Sequence, residues 1–346
     1  MSPVGAFSWA MGRLPGMDSV TRLKTAMALE KPDRPPFTLW GHTFKEEWSP
    51  KELAEITVRR ARRYRLDFVK LQPRATFFAE AYGSEYEPSG NGEEHPTLIR
   101  PGVETVEDWA KLPDVDASHP AFADQVEALR LTVAELGDKT PVIQTVFSPL
   151  TVAGHLVGKD PPGVVKMLLD HPDLLGPALA RIARGLASFS TASVEAGGAG
   201  VFFAISGYAS ADLMSEGDYR RLALGHDLSV IELLPANAWF NVAHLCGPRL
   251  HFDIANALGL QAVSWSVHDP GNPTLAEGRD RTGMAAMGGL GQKTTLVKGT
   301  PAEIIAEGKA ALEGTDGRGV ILAPGCSIDI HASDDNLSAV KQVVAA

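Results

Sequence analysis

Short runs of apolar, β-favouring residues alternate with amphipathic segments of helical period along most of the chain. The apolar runs are Phe37–Gly41, Asp67–Gln72, Pro141–Phe147, Val201–Ser206, Trp239–Cys246, Ala262–Val267, Ala285–Leu290 and Val320–Ala323. Most are apolar at nearly every position, the pattern of strands buried on both faces in a parallel sheet. Helical periodicity fills Pro50–Arg65, Phe122–Leu136, Pro162–Leu169, Leu175–Ala196, Ser215–Leu234 and Pro301–Leu312. Eight strands alternating with helices predict an α/β chain folded as a single (β/α)₈ TIM-like barrel. A doubly wound sheet fits the same count, because alternation does not establish closure.

Two stretches fall outside one strand–helix unit. Residues 1–20 read as an N-terminal tail, with Met1–Gly16 as a strap, leaving 21–346 as the barrel. Ala75–His119, rich in Gly, Pro and acidic residues, reads as an excursion after the second strand, lying over the barrel mouth.

Charge and cysteine content narrow the function classes. The 346 residues carry 32 Lys and Arg against 42 Asp and Glu, a net charge of −10 that repels a phosphate backbone and argues against a nucleic-acid partner. No run approaches the 18 or so apolar residues of a membrane span. Two cysteines make no disulfide framework, and the N-terminus shows no continuous apolar signal core, so a cytoplasmic, reducing location is expected.

In a barrel, chemistry gathers at the C-terminal ends of the strands. There the chain places His42, Pro73-Arg74, Ser148-Pro149, Ser206-Gly207-Tyr208, then His244 with Cys246, His268-Asp269, Gly288-Gly289 and Gly325-Cys326. Residues i and i+2 of a strand share a face, so His244 and Cys246 look into one site, and Cys326 enters from another strand end. One imidazole and two thiolates suit Zn²⁺, with a fourth position left for water or substrate. The same residues also read as two small buried thiols and a hydrogen-bonded core histidine, and on spacing alone both readings stand.

His244-Leu245-Cys246-Gly247 followed by Leu322-Ala323-Pro324-Gly325-Cys326 resembles the His-x-Cys…Cys zinc signature of methylcobalamin:thiol methyltransferases, a branch of the uroporphyrinogen decarboxylase superfamily. Ser148–Ala153, Ser210–Ser215 and Gly299–Glu303 resemble the superfamily in the same order, from about residue 20 to the C-terminus. The resemblance implies a TIM-like barrel, Zn²⁺ held by His244, Cys246 and Cys326, a small-molecule thiol acceptor, and a methylated corrinoid that would be a substrate or sit on a partner protein, because the chain shows no recognisable corrinoid-binding module. A homodimer is compatible with the family. The fourth zinc ligand is left open between His268, His42 and water.

The decarboxylase branch implies a different chemistry, loss of CO₂ from a tetrapyrrole or smaller acid. Its determinants are replaced here: Trp40 and Phe44 stand where its arginines hold the acidic substrate, Arg74 aligns with its Asp, His155 with its Tyr, and Gly325-Cys326-Ser327 with its Gly-His-Gly. A third reading is a non-catalytic barrel that binds a corrinoid protein or small ligand. Further candidates are His42, His155 and His268 as acid–base groups, and Trp40, Arg74, Ser148, Ser206, Tyr208 and Asp212 as substrate-binding groups, with Asp212 also readable as a helix N-cap. The basic cluster Arg59–Arg65 reads as a solvated helix face or a docking patch, and Gly288–Gly291 as tight packing at a strand end.

Overall fold

Seven of the eight apolar runs become strands of one parallel sheet in a computed structural model that describes residues 16–345. In chain order the strands are β1 (Val69–Leu71), β2 (Glu85–Glu87), β3 (Thr97–Arg100), β4 (Val142–Phe147), β5 (Gly200–Ser206), β6 (Val242–Cys246), β7 (Ala262–Ser264), β8 (Ala285–Leu290) and β9 (Val320–Pro324). The sheet order is β1-β4-β5-β6-β7-β8-β9, while β2 and β3 form a separate antiparallel hairpin.

Strand alternation sorts the core into two layers. Phe202 and Ala204 of β5, Val242 of β6, Ala262, Ala285, Met287, Ile321 and Ala323 join Trp40 and Phe68 in one buried cluster on the inner face. Their neighbours Val201, Phe203, Ile205, Ala243, Leu245 and Val263 bury outward against the helices. This two-sided burial explains why the runs are apolar without alternation.

The first run corrects the sequence expectation: Phe37–Gly41 forms only isolated bridges, Phe37 to Leu322 and Gly41 to Ile328. Pro35 and Pro36 before it have no N–H to give a ladder, and side chains replace part of the pairing. Thr38 N donates to Leu322 O at 3.1 Å and Ile328 N to Trp40 O at 2.9 Å on one side; Asp67 N donates to Phe37 O at 3.1 Å and Thr38 Oγ1 to Phe68 O at 2.8 Å on the other. Gly41 is required there, since a Cβ would lie 2.6 Å from Ile328 O. The curled sheet thus touches this stave at both edges, as in a TIM-like barrel.

Asp67 fixes the seam. Its buried carboxylate accepts from Phe37 N at 2.9 Å and pairs with Arg22 and Arg34, each at 2.7 Å.

Most helices start where local chemistry directs. Ser49 caps Pro50–Tyr64, which buries Leu53, Ala54, Val58 and Ala61, and Thr300 with Glu303 forms a capping box on Pro301–Leu312. The segment expected as one helix over Ser215–Leu234 divides at Ala223 into Glu216–Leu222 and Leu224–Ile231. Helices Ser19–Met27, Pro149–Leu156, Leu275–Thr282 and Asp334–Val344 were absent from the periodicity reading, and the first begins inside the stretch assigned to the tail. Most of the expected strap, residues 1–15, lies outside the described residues. Between β1 and β4 the chain forms a short helix (Phe77–Ala81), the β2–β3 hairpin and a 3₁₀ turn (Val106–Lys111). No described helix is long and apolar enough to cross a membrane.

Candidate metal centre

Strand register delivers the three residues that the sequence pattern singled out. On β6, His244 and Cys246 point to the inner face, His244 opposite Ala204 of β5 and Ser264 of β7. Cys326 follows β9 by two residues. One ligand atom from each of His244, Cys246 and Cys326 lies within 4.8 Å of the others, and the two Sγ atoms are 3.7 Å apart. That separation is far beyond a disulfide bond of about 2.05 Å, and it matches the roughly 3.8 Å between two sulfurs at tetrahedral angles with metal–sulfur bonds of about 2.3 Å. His244 Nδ1 shares a hydrogen bond with the buried Ser264 hydroxyl at 3.2 Å, which leaves Nε2 for a metal, the usual arrangement in which a second partner orients a ligating imidazole. The donor set therefore fits Zn²⁺.

The two thiols share one hydrogen bond. That contact with Cys246 holds the Cys326 sulfur well below the ordinary thiol range, His244 adds to the effect, and the same bond pushes Cys246 well above it. Cys326 reaches this position because residue 325 is glycine: a Cβ there would lie 2.6 Å from Ser266 Cα. The Ser266 hydroxyl beside it is buried without a hydrogen-bond partner.

Neither His42 nor His268 enters the ligand group, so among the described residues no fourth side chain completes it. His42 Nδ1 instead donates to the buried Glu47 carboxylate, 3.0 Å from both oxygens, and its ring stacks on Phe44 with centroids 4.8 Å apart. His42 Nε2 accepts from Gln72 Nε2 at 3.2 Å, and Gln72 Oε1 accepts from Lys70 Nζ. A polar chain, Glu47–His42–Gln72–Lys70, thus runs from the rim to the inner face. His268 Nε2 is 3.3 Å from Gly289 O and 3.7 Å from Glu307.

An open cavity of about 960 Å³ brings His42, His95, Lys293 and His331 to Cys326. His95, from the turn of the hairpin, tilts over Phe44 at 4.7 Å, and burial above all lowers its pKa to about 4.

Most of the remaining candidates are engaged by partners within the fold. Arg74 is buried, pairs with Glu80 at 2.7 Å, donates to Glu47 O and lies over the Trp48 ring. Trp40 is buried edge-on to Phe202 at 5.5 Å. Ser148 caps Pro149–Leu156 and shares a hydrogen bond with Thr151, whose hydroxyl accepts from Ser206 N. Tyr208 is buried with its hydroxyl against Gly154, and burial raises its phenol strongly. The His155 ring packs on Phe147, its Nδ1 has no partner, and burial lowers it to about 3. Asp212 pairs with Arg249 rather than capping a helix, since Ser215 caps Glu216–Leu222.

Within the basic cluster, Arg60 donates to Gly41 O, and the exposed Arg62 and Arg63 pair with Glu135 and Asp334. Gly288 and Gly289 lie where a Cβ would strike Trp265 O and Ala311, the tight packing expected of them. Sequence reasoning missed Ser264, Glu47, Gln72 and Lys70.

Comparison with known proteins places the chain among relatives of two chemistries. The family profile described as uroporphyrinogen decarboxylase (URO-D) matches residues 19–346. A uroporphyrinogen decarboxylase of Paraburkholderia phytofirmans is 30% identical over 300 residues, covering 82% of this chain and 72% of that protein. A methylcobamide:CoM methyltransferase of Methanosarcina barkeri is 28% identical over 304 residues, covering 86% of this chain and 84% of that protein. A methyltransferase from Methanosarcina mazei superposes with a TM-score of 0.81 at 23% identity, covering 95% and 98% of the two chains, a likeness of fold.

Proposed function

The chain belongs to the uroporphyrinogen decarboxylase family, and from that premise we propose that it is a zinc-dependent methyltransferase moving a methyl group from a methylated corrinoid, free or on a partner protein, to a small thiol. The observation that carries this reading is the group His244, Cys246 and Cys326, with sulfurs 3.7 Å apart and no fourth protein ligand among the described residues. An incomplete coordination shell is the mark of a catalytic rather than a structural zinc.

Zinc bound there would supply a Lewis-acidic position at which a thiol gives up its proton near neutral pH. The chain's own part is to hold that position open and aimed. Ser264 fixes the His244 ring, Gly325 lets Cys326 approach, and the cavity shared by His42, His95 and Lys293 admits the methyl donor. In the transfer the acceptor sulfur forms the bond to the methyl carbon. The carbon–donor bond breaks with its electron pair left on the donor, and the thiol proton passes to solvent. The β2–β3 hairpin, through His95, covers the mouth and limits water.

Decarboxylation of a tetrapyrrole is the competing reading, because curated relatives of both kinds match at similar identity. The buried Arg74 speaks against it: its guanidinium is already satisfied by Glu80 and Glu47 and is unavailable to a substrate carboxylate.

Metal analysis by mass spectrometry tests the proposal on protein purified without an affinity metal. About one zinc per wild-type chain, lost in Cys246→Ser and Cys326→Ser, is expected. Folded wild-type protein free of zinc overturns it.

A further inference from the structure

Lys70 is a buried ammonium without an anion. Its side chain leaves the middle of β1 and is 6% exposed. Nζ donates to Gln72 Oε1, lies 4.9 Å from the Phe202 ring centroid and 5.9 Å from that of Trp40, and has no carboxylate within ion-pair reach among the described residues. Burying an ammonium costs several kcal/mol unless an opposite charge is close, and aromatic faces recover only part of that. Another residue of similar length, such as Met, would fill this apolar lumen without the penalty.

The position shows what the charge is for. Phe202, which carries the ammonium on its ring, also packs on the His244 imidazole, with centroids 4.8 Å apart. Burial lowers the Lys70 pKa to about 7, opposed in part by the negative charges of Cys326 and then Glu47. Glu47 lies at the far end of the His42–Gln72 chain, which holds the ammonium by its Gln72 end.

Resting on the methyltransferase reading above, we propose that Lys70 is the electrostatic partner of the thiolate that enters beside Cys246 and Cys326, a positioning residue for the acceptor sulfur. Charge balance supports this. Two cysteine thiolates neutralise a divalent ion, so an incoming thiolate leaves the lumen at net −1, and Lys70 is the one cation buried in that lumen among the described residues. Glu47, His42 and Gln72 then serve to hold the ammonium in place.

The test uses the full chain loaded with Co²⁺, titrated with 2-mercaptoethanol and separately with 3-mercaptopropionate while the sulfur-to-cobalt charge-transfer band is followed from pH 6 to 9. In Lys70→Met, one Co²⁺ should still bind per chain. Coordination of both thiols should weaken about tenfold or more at pH 7, and its pH midpoint should rise by about one unit, as expected for removing a nearby charge. Gln72→Met, which frees the ammonium, should show a smaller shift in the same direction.

An unchanged midpoint and affinity in a Lys70→Met protein that still binds cobalt overturns the inference. A loss confined to 3-mercaptopropionate overturns it too, assigning Lys70 to the thiol's carboxylate. Failure of wild-type protein to bind cobalt overturns the metal reading beneath it, and so is distinguishable from either.

Discussion

Gly325→Ala tests whether the metal centre depends on one missing side chain. A Cβ at residue 325 would lie 2.6 Å from Ser266 Cα, 2.7 Å from Ser266 Cβ and 2.8 Å from Gln292 Oε1. Carbon–carbon contacts settle at about 3.5–4.0 Å, so the strand ends must part by about 1 Å. The chain cannot yield by swinging the other way, because Gly325 N is tied to Leu290 O at 3.0 Å. Cys326 is the next residue and moves with the backbone. A metal site tolerates ligand displacements of about 0.2 Å, so a 1 Å shift spoils the 3.7 Å sulfur separation. We expect zinc affinity, measured by competition with a chromophoric chelator, to fall by about 10- to 100-fold or more. Overpacking should cost about 1–3 kcal/mol of stability by urea unfolding. Gly225→Ala is the control: nothing lies within 4 Å of its added methyl, and stability should hold or rise by about 0.5 kcal/mol. Unchanged zinc affinity in folded Gly325→Ala would refute the reasoning, since the clash would have relaxed without moving Cys326.

Two further predictions concern the frame. Asp227 is fully buried, accepts from Tyr219 Oη at 2.6 Å and leaves its other oxygen unpaired; burial raises its pKa from 3.8 to about 8. The folded state then binds the proton more tightly than the unfolded one, so this contribution is full below pH 4 and is lost as pH rises through about 8, on the order of 5 kcal/mol in total. Asp227→Asn should flatten the fall in stability between pH 5 and pH 8, and parallel urea-derived profiles would contradict it. Asp67→Ala should cost about 1–3 kcal/mol, because it leaves Arg22 with Asp33 as its one remaining carboxylate and leaves the buried Phe37 N–H unpaired; a melting temperature equal to wild type would disprove that role.

The seven regular strands were legible because burial on both faces favours nearly unbroken apolar runs, as in residues 201–205 and Ala285–Leu290. The grouping of the candidate metal ligands was legible for a related reason: strand geometry alone puts His244 and Cys246 on one side, and cysteine at a strand end is rare enough to notice. Lys70 was not. In Asp67–Gln72 a lysine between Val69 and Leu71 reads as an ordinary polar position facing water, and only the curling of the sheet turns that face into a dry lumen. Ser264 and Glu47 escaped notice because their importance depends on partners 20 and 5 residues away. Arg74 and Asp212, expected as ligand contacts from their rim positions, are paired with Glu80 and Arg249, partners that the sequence pattern does not reveal. The stave Phe37–Gly41 was found as an apolar run, and its irregularity follows from Pro35 and Pro36.

That stave has a consequence for how the protein is made. Phe37 pairs with Leu322, and Gly41 with Ile328, across roughly 285 residues of intervening chain. Contacts of such sequence separation form late, since the entropy of closing so large a loop must be met first. During synthesis the partners of residues 37–41 leave the ribosome roughly 285 residues after them, and Cys326 emerges with those partners. Earlier staves can pair as they appear, while the nascent sheet keeps its inner face and two strand edges unprotected until residues 320–328 have emerged. His244, Cys246 and Cys326 therefore come together only after residue 326 has been made, and a truncated product ending before residue 320 would have neither a closed seam nor the candidate metal group.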